Sequence, residues 1–113
     1  MNSRQKGARG ERELAAVMQK HLPGVTAERS ARCGVHQAED ILHSIPGVHV
    51  ECKRVEKLNI DKAMAQAAEA GGESKIPTVW HRKNRGEWMV TIPLADLLVF
   101  CYTISSLCDE VEQ

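Results

Sequence analysis

The spacing of apolar residues changes along the chain, and each change predicts an element. Leu14, Val17, Met18 and Leu22 recur at helical spacing until Pro23-Gly24, which predicts an amphipathic first helix ending there. Val48, Val50 and Cys52 alternate with His49, Glu51 and Lys53. That alternation predicts a strand burying the first set and projecting the second from its other face. Residues 40–45 suit a preceding strand, and Pro46-Gly47 suits a turn, because proline fixes φ and glycine accepts φ > 0. A hairpin about that pair would set Asp40 opposite Lys53 and diagonal to Glu51.

Ile60, Ala63, Met64, Ala67 and Ala68 predict a second helix, with Asn59 or Asp61 near its N-cap and Gly71-Gly72 at its end. Its alanine-rich face permits close packing on a sheet. Residues 76–81 and 87–92 read as two strands of a hairpin joined by Lys83-Asn84-Arg85-Gly86. Trp80 and Trp88 are assigned to packing, across that hairpin or beneath a helix. Pro93 opens a last helix, at about 93–108, whose apolar residues cover more of its circumference than one core contact needs. The surplus predicts a homodimer interface; burial deep in the core is the alternative. The apolar run is too short to span a bilayer and is not an N-terminal signal, so no membrane role is expected.

With 113 residues, 42% of them hydrophobic, the chain fits one domain, 1–113, of mixed α/β class. Fifteen basic residues balance fifteen acidic ones, an uncommon balance for a protein that grips DNA. Their distribution alters that picture. Arg4, Lys6, Arg9 and Arg12 form a basic arm, and Arg82, Lys83 and Arg85 a second cluster, either a surface for phosphates or a solvated turn. Cys33, Cys52, Cys101 and Cys108 lack tight pair spacing, which predicts free buried thiols and a cytoplasmic setting. A zinc site built on Cys33 and His36, with His43, His49 or Cys52, lacks a second recognisable ligand pair.

The candidate chemistry lies on the predicted hairpin. Asp40 and Glu51 offer hard oxygen ligands to Mg²⁺ or Mn²⁺, and Lys53 beside them can orient a water and stabilise charge on a phosphate. The same alternation also suits a solvated face with cross-strand ion pairs. Glu11 falls near the buried stripe at the expected start of the first helix. Glu13 is assigned to the helix dipole.

Lys6-Gly7, Glu11-Arg12-Glu13-Leu14, Arg29-Ser30, Asp40 and Glu51-Cys52-Lys53, in this order, resemble the archaeal-type and phage Holliday-junction resolvases of the PD-(D/E)xK nuclease superfamily. The likeness spans about the first two-thirds of the chain and reaches the strand start Lys75-Ile76-Pro77. It implies a restriction-endonuclease-like mixed sheet flanked by helices, and a dimeric Mg²⁺-dependent DNA endonuclease acting on junctions or related branched DNA. By this resemblance Asp40 and Glu51 hold the metal, Lys53 is the catalytic lysine and Glu11 completes the acidic site. Arg12 and Arg29 match positions that contact the DNA backbone, Ser30 lies beside them, and Gln66 matches a helix position directed toward the site. Glu39 stands where the superfamily pattern has proline, and the loop over residues 31–38 is longer than expected, which bears on substrate choice. Two other functions use the same fold: a catalytically inert DNA-binding or protein-interaction module, and a nicking or restriction-type nuclease.

Overall fold

The first helix, α1 (Ser3–His21), buries Leu14, Ala15 and Met18 as one stripe, and Gly24, with φ 103°, helps turn the chain away from its end. The computed structural model describes residues 3–30 and 40–112, so Cys33, His36, Glu39 and the long loop lie outside the described residues. After α1 come β1 (Ala27–Arg29), β2 (Ile41–His43), β3 (Val48–Arg54), α2 (Ile60–Gly71), β4 (Ile76–Arg82) and β5 (Met89–Thr91). A 3-10 turn (Leu94–Asp96) then leads into α3 (Leu97–Glu112).

The strands form two sheets. In the larger, β3 pairs parallel with β4, and β4 pairs antiparallel with β5. In the smaller, β1 pairs antiparallel with β2. The expected hairpin between residues 40–45 and 48–53 is therefore replaced by two other pairings. A βαβ crossover through α2 supplies β3 with its parallel neighbour. Residues before the long loop, which carried no strand pattern, supply the partner of β2. The Pro46-Gly47 turn survives, with Gly47 at φ 70° and its carbonyl accepting the Ile76 N–H at 2.8 Å, so it ties into the start of β4 instead of closing a hairpin.

The crossover also changes the burial of β3. A strand covered on both faces loses the simple in–out alternation, and Val48, His49 and Val50 are all buried. One face carries Val48 and Val50 into the main core with Leu14, Met18, Ile41, Trp80 and Phe100. The other lies beneath α2, where Ala63, Ala67 and Val79 form a second small cluster. Ala68, expected on that apolar face, is exposed. Helix α2 keeps its predicted ends: Asn59 Oδ1 accepts the Lys62 N–H at 3.1 Å, and Gly72 closes the helix at φ 70°.

Trp80 meets Phe100 of α3 edge-on, with ring centroids 6.3 Å apart. That contact fixes one side of α3 and leaves the other uncovered, with Leu98 81% and Tyr102 74% exposed, and Leu94 on the preceding 3-10 turn is 85% exposed. Burial deep within the core is thus excluded for this segment. Among the described residues no helix is long and apolar enough to cross a membrane. Cys52, Cys101 and Cys108 are free thiols, but where buried thiols were expected Cys52 and Cys108 are half-buried and Cys101 is exposed.

Candidate active site

Helical geometry carries Glu11 inward, since it lies three and four residues before Leu14 and Ala15 on the same stripe. The helix begins at Ser3, so Glu11 is a mid-helix residue and not the helix-start residue that the sequence suggested. It is 7% exposed, and its Oε1 accepts the Arg29 Nε–H at 3.1 Å. Arg29 ends β1, which runs beside β2 in the register Arg29↔Ile41. One residue further, the buried Ser30 donates its N–H to the Asp40 carbonyl at 2.8 Å. The small sheet thereby fixes the backbone at Asp40 although it is not paired with β3.

On β3, Glu51 and Lys53 stand on one face, as their parity requires. Lys53 Nζ is 3.7 Å from Glu51 Oε2, and His49 Nε2 is 3.1 Å from Glu51 Oε1. His49 was expected to project outward with them; it is 2% exposed, closed over by the end of α2. A methyl on Gly71 would stand 2.9 Å from His49 Cβ, so the helix end approaches this closely only because residue 71 has no side chain.

Cys52, on the opposite face of β3, reports what surrounds it. Its thiol pKa is pushed well up, first by burial and then by the negative charges of Glu11, Asp40 and Glu51, with Lys53 acting in the opposite direction. Three carboxylates from α1, the start of β2 and β3 therefore act on one buried point together with a lysine. These are the four residues that the sequence proposed as catalytic.

The donor chemistry suits a hard divalent cation. The acidic side chains supply oxygen, and burial keeps the Cys52 thiol protonated. Among the described residues no group of three or more His, Cys, Asp or Glu side chains is placed to hold a metal ion. Mg²⁺ does not need such a group, because it is commonly held by one or two carboxylates plus waters and substrate phosphates.

The remaining candidates divide. Arg12 is exposed beside this region, and Lys83 and Arg85 are exposed on the β4–β5 connection. Arg82 is instead engaged by Glu13. Gln66 is exposed on α2, next to buried Ala67. Sequence reasoning missed Glu13, which was assigned to the helix dipole. Its carboxylate accepts from Arg82 Nη1, accepts from Trp88 Nε1 at 2.9 Å and faces Arg54 Nε at 3.6 Å. No local pattern signals this hub, because its partners come from β3, β4 and the connection before β5.

Comparison with known proteins bears on the family and the fold. The family model described as "Phage putative PDDEXK endonuclease" matches residues 2–105. Among solved structures, the Hjc Holliday junction resolvase of the archaeal hyperthermophile Archaeoglobus fulgidus is similar, with a TM-score of 0.51 and 23% identity over 77% of this chain and 75% of that one. At that identity the likeness establishes the restriction-endonuclease-like α/β fold. No curated protein matches the chain in sequence.

Proposed function

We propose, since the chain belongs to the phage PDDEXK endonuclease family, that it is a Mg²⁺-dependent DNA endonuclease cutting branched DNA as a dimeric Holliday-junction resolvase. The observation that carries the reading is the gathering of Glu11, Asp40, Glu51 and Lys53 around Cys52. Nucleases of the PD-(D/E)xK type generally use divalent metals. Asp40 and Glu51 would hold Mg²⁺ here, with Mn²⁺ able to replace it, and Glu11 would add negative charge behind them. When bound, the ion supplies Lewis acidity at the scissile phosphate.

The chain's own groups account for the rest. Lys53 hydrogen-bonds the attacking water and places its cation against the charge that builds on phosphorus. Water attacks in line and gives up a proton to solvent as the new P–O bond forms; the bond from phosphorus to the 3′ oxygen breaks and that oxygen takes up a proton from solvent, leaving a 5′-phosphate and a 3′-hydroxyl. Arg29 orients Glu11 through their 3.1 Å contact. Arg12, Lys83 and Arg85 offer exposed cations for the DNA backbone, with Arg82 behind them and Ser30 holding the Asp40 backbone; Gln66 is assigned to the same substrate face.

The similar archaeal protein is a Holliday junction resolvase, which favours a branched substrate. The uncovered side of α3, with Leu98 and Tyr102, together with Leu94 on the turn before it, supports two copies pairing so that two strands are cut symmetrically. A labelled four-way junction, tested beside matched linear duplex, flap and single strand with Mg²⁺ or EDTA, separates the outcomes. Paired symmetric nicks in the junction, abolished by EDTA, are expected. Metal-dependent cutting of linear duplex alone would replace the resolvase with a nicking or restriction-type nuclease. A folded protein that cuts nothing would make it an inert module.

A further inference from the structure

A buried imidazole between two buried valines, Val48 and Val50, calls for a reason. His49 and Glu51 are two residues apart on the same face of β3, yet His49 lies within the protein, while the Glu51 side chain retains 15% exposure. The end of α2 lies over the imidazole at Gly71, and the strand beneath it is held by the Thr78 hydroxyl, which donates to the His49 backbone carbonyl at 2.7 Å and accepts from Trp80 Nε1 at 2.8 Å.

An ionised carboxylate only accepts hydrogen bonds, so in this contact the proton belongs to His49 Nε2. The two oxygens of Glu51 are then divided between different partners. Oε1 takes the inward Nε2–H at 3.1 Å, and Oε2 faces Lys53 Nζ at 3.7 Å. A carboxylate on a flexible side chain otherwise rotates freely about its last bond, and a donor held by packing removes that freedom.

We infer that His49 is a positioning residue which anchors Glu51 Oε1 from the interior and so presents Oε2 to the site beside Lys53. The inference rests on the reading of Glu51 as a metal ligand, and it gives Gly71 a reason as well: only a residue without a side chain lets α2 close over the imidazole.

Calorimetric titration of the full chain with Mn²⁺ tests this in His49→Leu, His49→Asn, His49→Gln and Glu51→Gln variants, each with a thermal melt. Glutamine can place an amide N–H near the position of Nε2, whereas asparagine reaches only as far as Nδ1 and leucine donates nothing. Mn²⁺ affinity is expected to fall about 10- to 100-fold in the leucine and asparagine variants, to stay close to wild type in His49→Gln, and to vanish in Glu51→Gln. Wild-type affinity in His49→Asn, with binding lost in Glu51→Gln, would overturn the role of His49 and leave the metal site standing. Equal weakening in the glutamine and asparagine variants would also overturn it, because ring packing and not the Nε2 donor would then matter. Should the leucine variant fail to fold, the glutamine–asparagine pair decides. Mn²⁺ binding that survives Glu51→Gln would remove the metal-ligand reading itself.

Discussion

Glu11 and Glu13 lie two residues apart on one helix, Glu11 buried and Glu13 half-buried, and their surroundings differ in kind. Glu13 is surrounded by donors, with Arg82, Trp88 and Arg54 converging on one carboxylate. Glu11 has Arg29 against it, but it also shares its neighbourhood with the carboxylates of Asp40 and Glu51, as the Cys52 thiol reports. Converging donors neutralise a charge and join α1 to β3, β4 and the connection before β5. Converging carboxylates destabilise one another unless a cation joins them. Crowded like charge is thus the better pointer to chemistry, and a satisfied carboxylate the better pointer to architecture.

The largest expected effect separates these two regions directly. Lys53→Ala should lower metal-dependent cleavage by about 10²- to 10⁴-fold with little change in melting temperature. Glu13→Ala should do the reverse. Losing the acceptor for two cations and an indole N–H should cost roughly 2–3 kcal/mol, a fall of about 10 °C in Tm for a chain of this size, while the folded fraction cuts at the wild-type rate. Cleavage assays paired with thermal melts decide the matter. A Glu13 variant that is stable but inactive would place it in the site and dissolve the contrast.

That contrast also explains what was legible in the sequence. Elements specified by local signals were readable: α2 with its Asn59 cap and Gly72 end, the β4–β5 hairpin, and the α1 stripe that carries Glu11 inward. The four residues proposed for the acidic site came from strand parity on β3 and from the order of motifs shared with the resolvases. Pairings between distant segments were not readable. Ala27-Glu28-Arg29 is too short to show a strand pattern, so the true partner of β2 was invisible, and Pro46-Gly47 suggested a hairpin that the βαβ crossover displaces. His49 was read as exposed because alternation assumes one covered face, and α2 covers the second. Glu13 was missed because every partner comes from elsewhere in the chain.

A smaller effect sharpens the comparison from the acidic side. If the crowding of Glu11, Asp40 and Glu51 is relieved by a bound cation, Mg²⁺ at ten times its dissociation constant should stabilise the wild-type protein by about 1.4 kcal/mol, and EDTA should reverse this. Asp40→Asn should lose most of that response. In EDTA the variant should melt no lower than wild type, because one of the crowded charges has gone. Melts of both proteins across a Mg²⁺ series check this, and an equal rise in the two would place the ion elsewhere.

The smallest effect reads the electrostatics at their common point. Burial acts first on Cys52 and the three carboxylates add to it, so its folded-state pKa lies above its ordinary value of 9.0. The sign follows from linkage: the unfolded thiol ionises first, so this contribution to stability is complete below about pH 9 and is lost as pH rises through the folded-state pKa. Alkylation with iodoacetamide, followed by peptide mass spectrometry, measures this through the pH dependence of the Cys52 rate. The Cys52 profile should lie at higher pH than that of a free model thiol with the ordinary value of 9.0. Asp40→Asn should move it down by removing a negative neighbour, and Lys53→Met should move it further up by removing the opposing cation. A Cys52 profile that matches the free model thiol and ignores both substitutions would mean that Asp40 and Lys53 do not act on this thiol, and the contrast between Glu11 and Glu13 would lose its electrostatic basis.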